Sequence, residues 1–386
     1  MAGFTPEHDD FQALVYRISQ QVSATFQDAE TRLLAEIARR LIRDLPELPE
    51  LDRQLRIVQE LERFAGELTA GITADLAEQI IAQASRDGAA AVLTDQLPRI
   101  PTISALADSH VLAAALIAWD LGNAFADVKA RILRYPRDAM NQFMIGGDVY
   151  QDVIAANAPM VALGASTSTA RKAALQEFLE RGITGFTDIS GRNWRIGTYT
   201  EMATRTAVAR AYTDAGVYRN AQLGIDLCSI LGGRNSCDNC AQWFGKIIAA
   251  SGPTGRRLVP HAYEDRLIEV DIAGTLAEWR QSGAGHPNCT CRPVGYLPGF
   301  RLPVAASGYD PAAHAARDRL RELEVRERDA KRKYEIAVAA GNTEKALRER
   351  RRVLVIQAET REHVKATGQR RRYERAAVKF ADGAQS

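Results

Sequence analysis

Four of the five cysteines in this chain stand in two tight clusters: residues 237–246 read CDNCAQWFGK and residues 286–291 read HPNCTC. Two residues between thiols let one tight turn present both sulfurs to a single ion, and structural zinc takes four Cys or His ligands in a tetrahedron. Cys237 and Cys240 have that spacing. His286, Cys289 and Cys291 bring three more donors, so five compete for four seats. The preferred set is Cys237, Cys240, Cys289 and Cys291. His286 is the reserve, because H-x-x-C is equally good spacing; outside the ligand set it would hold the knuckle through a hydrogen bond. A closed structural Zn2+ site is therefore the expected cofactor. It would clip a long intervening loop and define a small module.

Disulfides fit less well. The N-terminus, MAGFTPEHDDFQALVYR, has no basic patch followed by an apolar block, and no apolar run approaches bilayer length, so a reducing cytoplasm is the expected place of synthesis. A redox C-x-x-C would need a thioredoxin-like βαβ setting, and catalytic zinc would need an open position beside a general base. Neither is apparent. Cys228, the fifth cysteine, reads as a buried thiol.

The first third is helical by pattern. Phe11, Leu14, Val15, Ile18, Val22, Phe26, Leu33, Leu34, Ile37, Leu41 and Leu45 recur at three- and four-residue steps, and Leu51 to Ile80 make a second stripe. DLPELPELD and LPRIPT break the pattern, and an Ala- and Leu-rich helix follows to Tyr135, with Pro136 in the first turn of the next. GASTSTARKAALQEFLERGITGF reads as a capped helix stopped by Gly182. Thr198 and Glu201 read as a capping box opening a helix from Tyr199 to Gln222. Arg205 and Arg210 on that helix read as surface arginines, with an anion or carboxylate clamp as the alternative.

From residue 225 short β-prone runs alternate with Gly-, Asn- and Pro-rich turns, and Thr275 with Glu278 marks another capping box. After residue 300 two charged helices joined by GNT, with Thr343 as N-cap, predict a hairpin ended by Gly368; the stretch beyond it is expected to fray. The fold class expected is mainly α: a long helical N-terminal region (1–164), a helical linker block (165–224), a small α+β zinc-knuckle module (225–300) and a C-terminal basic helical hairpin with its tail (301–386). Charge is asymmetric. Residues 317–386 carry 20 Lys and Arg against 12 Asp and Glu, whereas residues 1–316 carry 30 against 36. A basic tail on an acidic body suggests an anionic partner, and a solvated Arg-rich helix is the plain alternative.

Four ordered blocks resemble the phage minor capsid protein family of the minor capsid protein 2 type, related to phage head morphogenesis proteins. They are RGITGFTDISGRNWRIGTYTEMATRTAVARA (181–211), CDNCAQWFGKII (237–248), HPNCTCRPVGYLPG (286–299) and REHVKATGQRRRYER (361–375). The resemblance implies a virion component of low copy number, assembled in the host bacterial cytoplasm, whose partners are the portal protein or the major capsid protein. It carries no catalytic residue and no membrane association. In that family the position of Cys291 is expected to be often histidine; a Cys/His exchange is what a zinc ligand tolerates, which strengthens Cys291 as a ligand.

Three functions compete at this point. A structural and assembly protein would use residues 317–379 for non-specific contact with packaged DNA. A zinc-supported nuclease or transferase-like head enzyme would have only Asp238, His261, Glu264 and Asp265 as candidate groups near the cysteines. A zinc-ribbon nucleic-acid binder would need basic and aromatic residues around the knuckle; Lys246, Arg256, Arg257 and Arg292 are few, and Trp243, Phe244 and Trp279 read as core.

Overall fold

The structure is a computed structural model; it describes residues 8–43, 51–96, 108–145, 185–187, 193–302 and 310–378, with Leu175 and Leu179 as two further helical positions. The chain is mainly α, with a small mixed sheet. Helices α1 (His8–Ala38), α2 (Leu51–Leu68), α3 (Ala74–Gln96) and α4 (Asp108–Ile145) precede a two-stranded ribbon, β1 (Gly185–Thr187) and β2 (Asn193–Arg195). Then come α5 (Ile196–Gln222), β3 (Leu227–Leu231), α6 (Asp238–Ala241), β4 (Ile247–Ala249), β5 (Gly255–Pro260), β6 (Leu267–Thr275), α7 (Leu276–Gln281) and β7 (Arg292–Gly295). Helices α8 (Pro311–Ala339) and α9 (Thr343–Thr367) complete the order.

Two compact units emerge. The first comprises Met1–Ser19, Ala74–Asn123 and Met202–Asp318; the second comprises Gln20–Thr73, Ala124–Glu201 and Arg319–Ser386.

The first unit is built around a five-stranded sheet of order β5-β6-β4-β3-β7, antiparallel except for the β4–β6 pair. Every residue of β3 is buried, as befits a strand with neighbours on both sides, whereas β5, at the edge, alternates half-buried and exposed positions. One side of the core gathers Ile230, Ile248, Leu276, Trp279 and the cysteines 228, 240 and 291. Helix α7 enters this unit through the predicted capping box: the Thr275 hydroxyl accepts from Glu278 N–H and the Glu278 carboxylate accepts from Thr275 N–H. Phe11 packs on Tyr212 with ring centroids 4.9 Å apart, and the buried Arg292 guanidinium lies 5.7 and 5.8 Å from those two rings.

The second unit is a helical assembly. Phe26 and Phe125, both almost fully buried, meet at a centroid distance of 5.3 Å. Leu323, Ala330 and Ile356 form the seam of the α8–α9 hairpin. Unusually many carboxylates are interior here: Glu30, Glu201, Glu324, Glu327 and Glu349 are all buried. Arginines satisfy most of them, through the pairs Arg321–Glu201, Arg332–Glu30, Arg371–Glu327 and Arg375–Glu324.

Several local expectations change. The Leu51–Ile80 stripe is two helices, broken at residues 69–73, where the Thr69 hydroxyl donates to the Ala65 carbonyl and Gly71 supplies the bend. Pro136 lies inside α4 instead of opening a new helix; the helix tolerates one missing N–H donor there. That continuity makes His110–Met140 long and apolar enough, by length and composition, to cross a membrane, with 28% of its most apolar window buried. Helix α5 starts at Ile196, so Thr198 is within its first turn and Glu201 pairs with Arg321 instead of closing a capping box. Asn342, not Thr343, caps α9 by accepting from Lys345 N–H. The segment after Gly368 does not fray at once: Tyr373–Arg375 form a 3-10 turn, and Ala376 and Val378 are buried. The Ser/Thr cap and Gly182 of the 165–184 stretch lie outside the described residues.

Candidate metal centre

The two cysteine clusters meet. Cys237 precedes α6 in an extended conformation, and the one-turn helix returns Cys240 beneath it, with Cys240 N–H and Ala241 N–H donating to the Cys237 carbonyl. The second cluster turns at Asn288, the only described non-glycine residue with positive φ (67°). The turn is closed by Cys289 N–H donating to the His286 carbonyl. Asn tolerates the left-handed conformation better than most residues, because its short amide can bond locally. Helix α5 braces this turn: Arg205 donates to Asn288 Oδ1 at 3.3 Å and Asn288 N–H donates to Thr206 Oγ1 at 3.4 Å.

The Sγ atoms of Cys240, Cys289 and Cys291 lie within 4.8 Å of one another, with Cys240 and Cys289 at 3.4 Å. Four sulfurs around one zinc at about 2.3 Å stand roughly 3.8 Å apart, so this convergence matches a tetrahedral face. Cys240 and Cys291 are buried and Cys289 half-buried. Cys237 and His286 belong to a different pair, with Cys237 Sγ 3.0 Å from His286 Nε2. The His286 Nδ1 lies 2.8 Å from the Pro287 carbonyl oxygen. A proton on Nδ1, donated to that oxygen, leaves the Nε2 lone pair directed at the thiol.

The thiols polarise one another. Hydrogen bonds from Cys240 and Cys291 hold Cys289 far below the ordinary thiol value. The same bonds, together with burial, push Cys240 up; Cys291, pulled down by Cys240, is raised overall to about 12 by its bond to Cys289 and by burial. A divalent ion would favour the thiolate form of all three, because metal ligands must be deprotonated. Cys291 also donates to Ser236 Oγ at 3.2 Å. Gly232 closes the cradle: a methyl group there would overlap the Phe244 ring and the Cys291 sulfur. Soft donors converging behind an apolar wall fit a closed thiolate site.

Other candidates fall elsewhere. Burial and the Asp226 charge push Cys228 up to about 12, which makes it an unreactive core thiol. His261 Nδ1 accepts from the N–H groups of Tyr263 and Glu264 and so closes its own loop, while Glu264 pairs with Arg266 on the surface. Neither His261 nor Glu264, Asp265 or Asp238 joins the thiol group. Trp279 is core and the half-buried Trp243 and Phe244 pack against it, with Trp243 Nε1 donating to Ser282 Oγ at 3.0 Å. Spacing alone did not reveal Ser236, Gly232 or the bracing by Arg205, whose block in the sequence gave no sign of its spatial neighbour.

A mainly helical chain carrying a small sheet that presents a cysteine knuckle is the architecture on the page. Residues 14–365 match the family model described as phage minor capsid protein 2, so the chain belongs to that family, a family of phage head structural proteins found in the virion. Neither a curated protein nor a solved structure matches the chain.

Proposed function

We propose that this protein is a non-catalytic minor component of a tailed-phage head whose α+β module is held rigid by one structural zinc ion, and which binds the portal or major capsid protein. Family membership across residues 14–365 carries the head assignment, and the three-thiol convergence supports the metal. Cys240, Cys289 and Cys291 would supply three ligands and Cys237 the fourth, with His286 bonding to the Cys237 sulfur. Assembly would take place in the host bacterial cytoplasm, without a membrane.

Two surfaces suit partners. Helix α4 exposes Val111, Leu112, Leu116 and Trp119, each more than half accessible, as an apolar face within the first unit. Burial of such a face is the usual driving force for protein association. Helix α9 exposes Arg348, Arg350, Arg351 and Arg352 beside Leu347, Leu354 and Val355. Those arginines, with the exposed Arg361, Lys365 and Arg370, are the described part of the basic 317–379 segment open to packaged DNA, since Arg321, Arg332, Arg371 and Arg375 face interior carboxylates. Phosphate neutralisation there would be sequence-independent.

The test is incorporation. Heads assembled with the Leu112→Asp, Trp119→Asp double variant should lack the protein, while the purified variant keeps its metal and its melting midpoint. Normal incorporation of that variant would remove α4 as the docking face. A head purified from wild-type infection that never contains the protein would sink the reading itself.

A further inference from the structure

One cavity of the second unit is lined by three arginines against two carboxylates, Glu30 and Asp329. Arg195, at the end of β2, and Arg328 and Arg332, one turn apart on α8, line this cavity, which has about 20 Å³ of room for water-sized groups. Like charges spaced i,i+4 repel on a helix. Arg332 reaches Glu30 at 3.3 Å, and Arg195 pairs with Asp329. Arg328 has no such partner: among the described residues no carboxylate lies within 4 Å of it, and it donates only to Thr198 Oγ1 at 3.4 Å. Arg332 keeps 10% of its side-chain surface accessible, yet its Nε–H has no acceptor. Arg328 is half-buried, and a guanidinium partly withdrawn from water without a carboxylate in contact is costly.

The other wall of the cavity is Gly197 and Thr198, in the first turn of the 27-residue α5. A helix start carries partial positive charge. Nothing in the cavity offsets it beyond Glu30 and Asp329, and burial pushes the Glu30 carboxyl up, toward its neutral form. Arg195 and Arg328 are each depressed to about 10, first by desolvation and then by neighbouring arginines, Arg332 at Arg195 and Arg321 at Arg328, against the opposing pull of Glu30 and Glu201.

We propose that this cavity is a binding site for one phosphate-class oxyanion, held by the Arg328 and Arg332 guanidinium groups, the Thr198 hydroxyl and the start of α5. Guanidinium forks match the oxygen spacing of a tetrahedral oxyanion, and a helix N-terminus adds dipole and N–H donors. Two sources share this chemistry: free inorganic phosphate and the terminal phosphate of a DNA end. The inference is independent of the metal centre.

Titration calorimetry of the full-length protein with inorganic phosphate, against chloride at matched ionic strength, tests it. Saturable binding of one phosphate per chain is expected, weakened at least tenfold in Arg328→Gln and unchanged in Arg256→Gln on exposed β5. Should Arg328→Gln fail to fold, Arg328→Lys, which keeps the charge but loses the fork, serves the same comparison. A 5′-phosphorylated duplex that displaces phosphate where its 5′-hydroxyl counterpart does not identifies a DNA end as the ligand; no displacement by either identifies the free ion. Absence of saturable binding, or equal affinity in wild type and the Arg328 variant, overturns the site.

Discussion

Cys237 Sγ and His286 Nε2 stand 3.0 Å apart, beside three other thiols that have already found one another. This pair decides how five donors share four seats. A histidine that bonds to a ligand sulfur and a histidine that replaces that sulfur predict different losses on mutation.

If Cys237 ligates and His286 supports it, His286→Ala retains one zinc per chain with affinity lowered about 10- to 100-fold. Cys240→Ser, Cys289→Ser or Cys291→Ser removes the high-affinity site altogether. Competition with a chromophoric chelator measures both. Loss of all zinc in His286→Ala, with full retention in Cys237→Ser, would instead seat the histidine.

Gly232→Ala places a methyl group against Phe244 and the Cys291 sulfur. Overpacking of this kind destabilises by about 1–3 kcal/mol. Thermal unfolding should show the drop, with zinc affinity falling in parallel because Cys291 is the displaced atom. A variant as stable as wild type would mean that the cradle is looser than its geometry.

The knuckle and the helices were legible in sequence for different reasons. Cysteine spacing reports local turn geometry, so both clusters could be read, and the structure brings three of their thiols within 4.8 Å of one another. Helix existence followed from apolar periodicity. Helix ends did not: Thr198 and Glu201 have the spacing of a capping box, yet Glu201 is buried against Arg321, a residue far away in the chain that no local pattern reveals. The basic tail misled in the same way. Its charge total hid that Arg371 and Arg375 are drawn inward to Glu327 and Glu324. Thr275 and Glu278, whose partners are local, formed the box that their spacing predicts.

That box offers a calibrated comparison. Thr275→Ala removes the acceptor for Glu278 N–H and should cost about 1 kcal/mol in urea unfolding with an unchanged denaturant slope. Thr275→Ser should restore most of it. Equal stability in all three proteins would show that α7 is held by Leu276 and Trp279 alone.

Asp310 introduces a pH dependence. It accepts from the Arg234 guanidinium and from the N–H groups of Ala312 and Ala313 at the start of α8. Its carboxyl is lowered from the ordinary 3.8, first by the Arg234 hydrogen bond. A depressed folded value means that the stabilisation is complete above the unfolded value and is lost as pH falls through the folded one. Asp310→Asn should therefore lower stability at neutral pH and shrink the decline below pH 3.8, read from melting midpoints across acid pH. An acid limb identical to wild type would contradict this.

DNA contact through α9 has a salt signature. Replacing Arg350, Arg351 and Arg352 with Ala should reduce the slope of log affinity against log salt by about 2–3, since each lost phosphate contact removes roughly 0.9. The loss should be the same for every duplex sequence. A slope unchanged by the substitutions would move the contact elsewhere or remove it.

The central claim is that one metal ion draws two distant thiol turns together in a head protein. The most direct measurement is the zinc-to-chain ratio of full-length protein purified without added metal or chelator. The account predicts one zinc per chain; a metal-free protein with its cysteines reduced and its module still folded would contradict it.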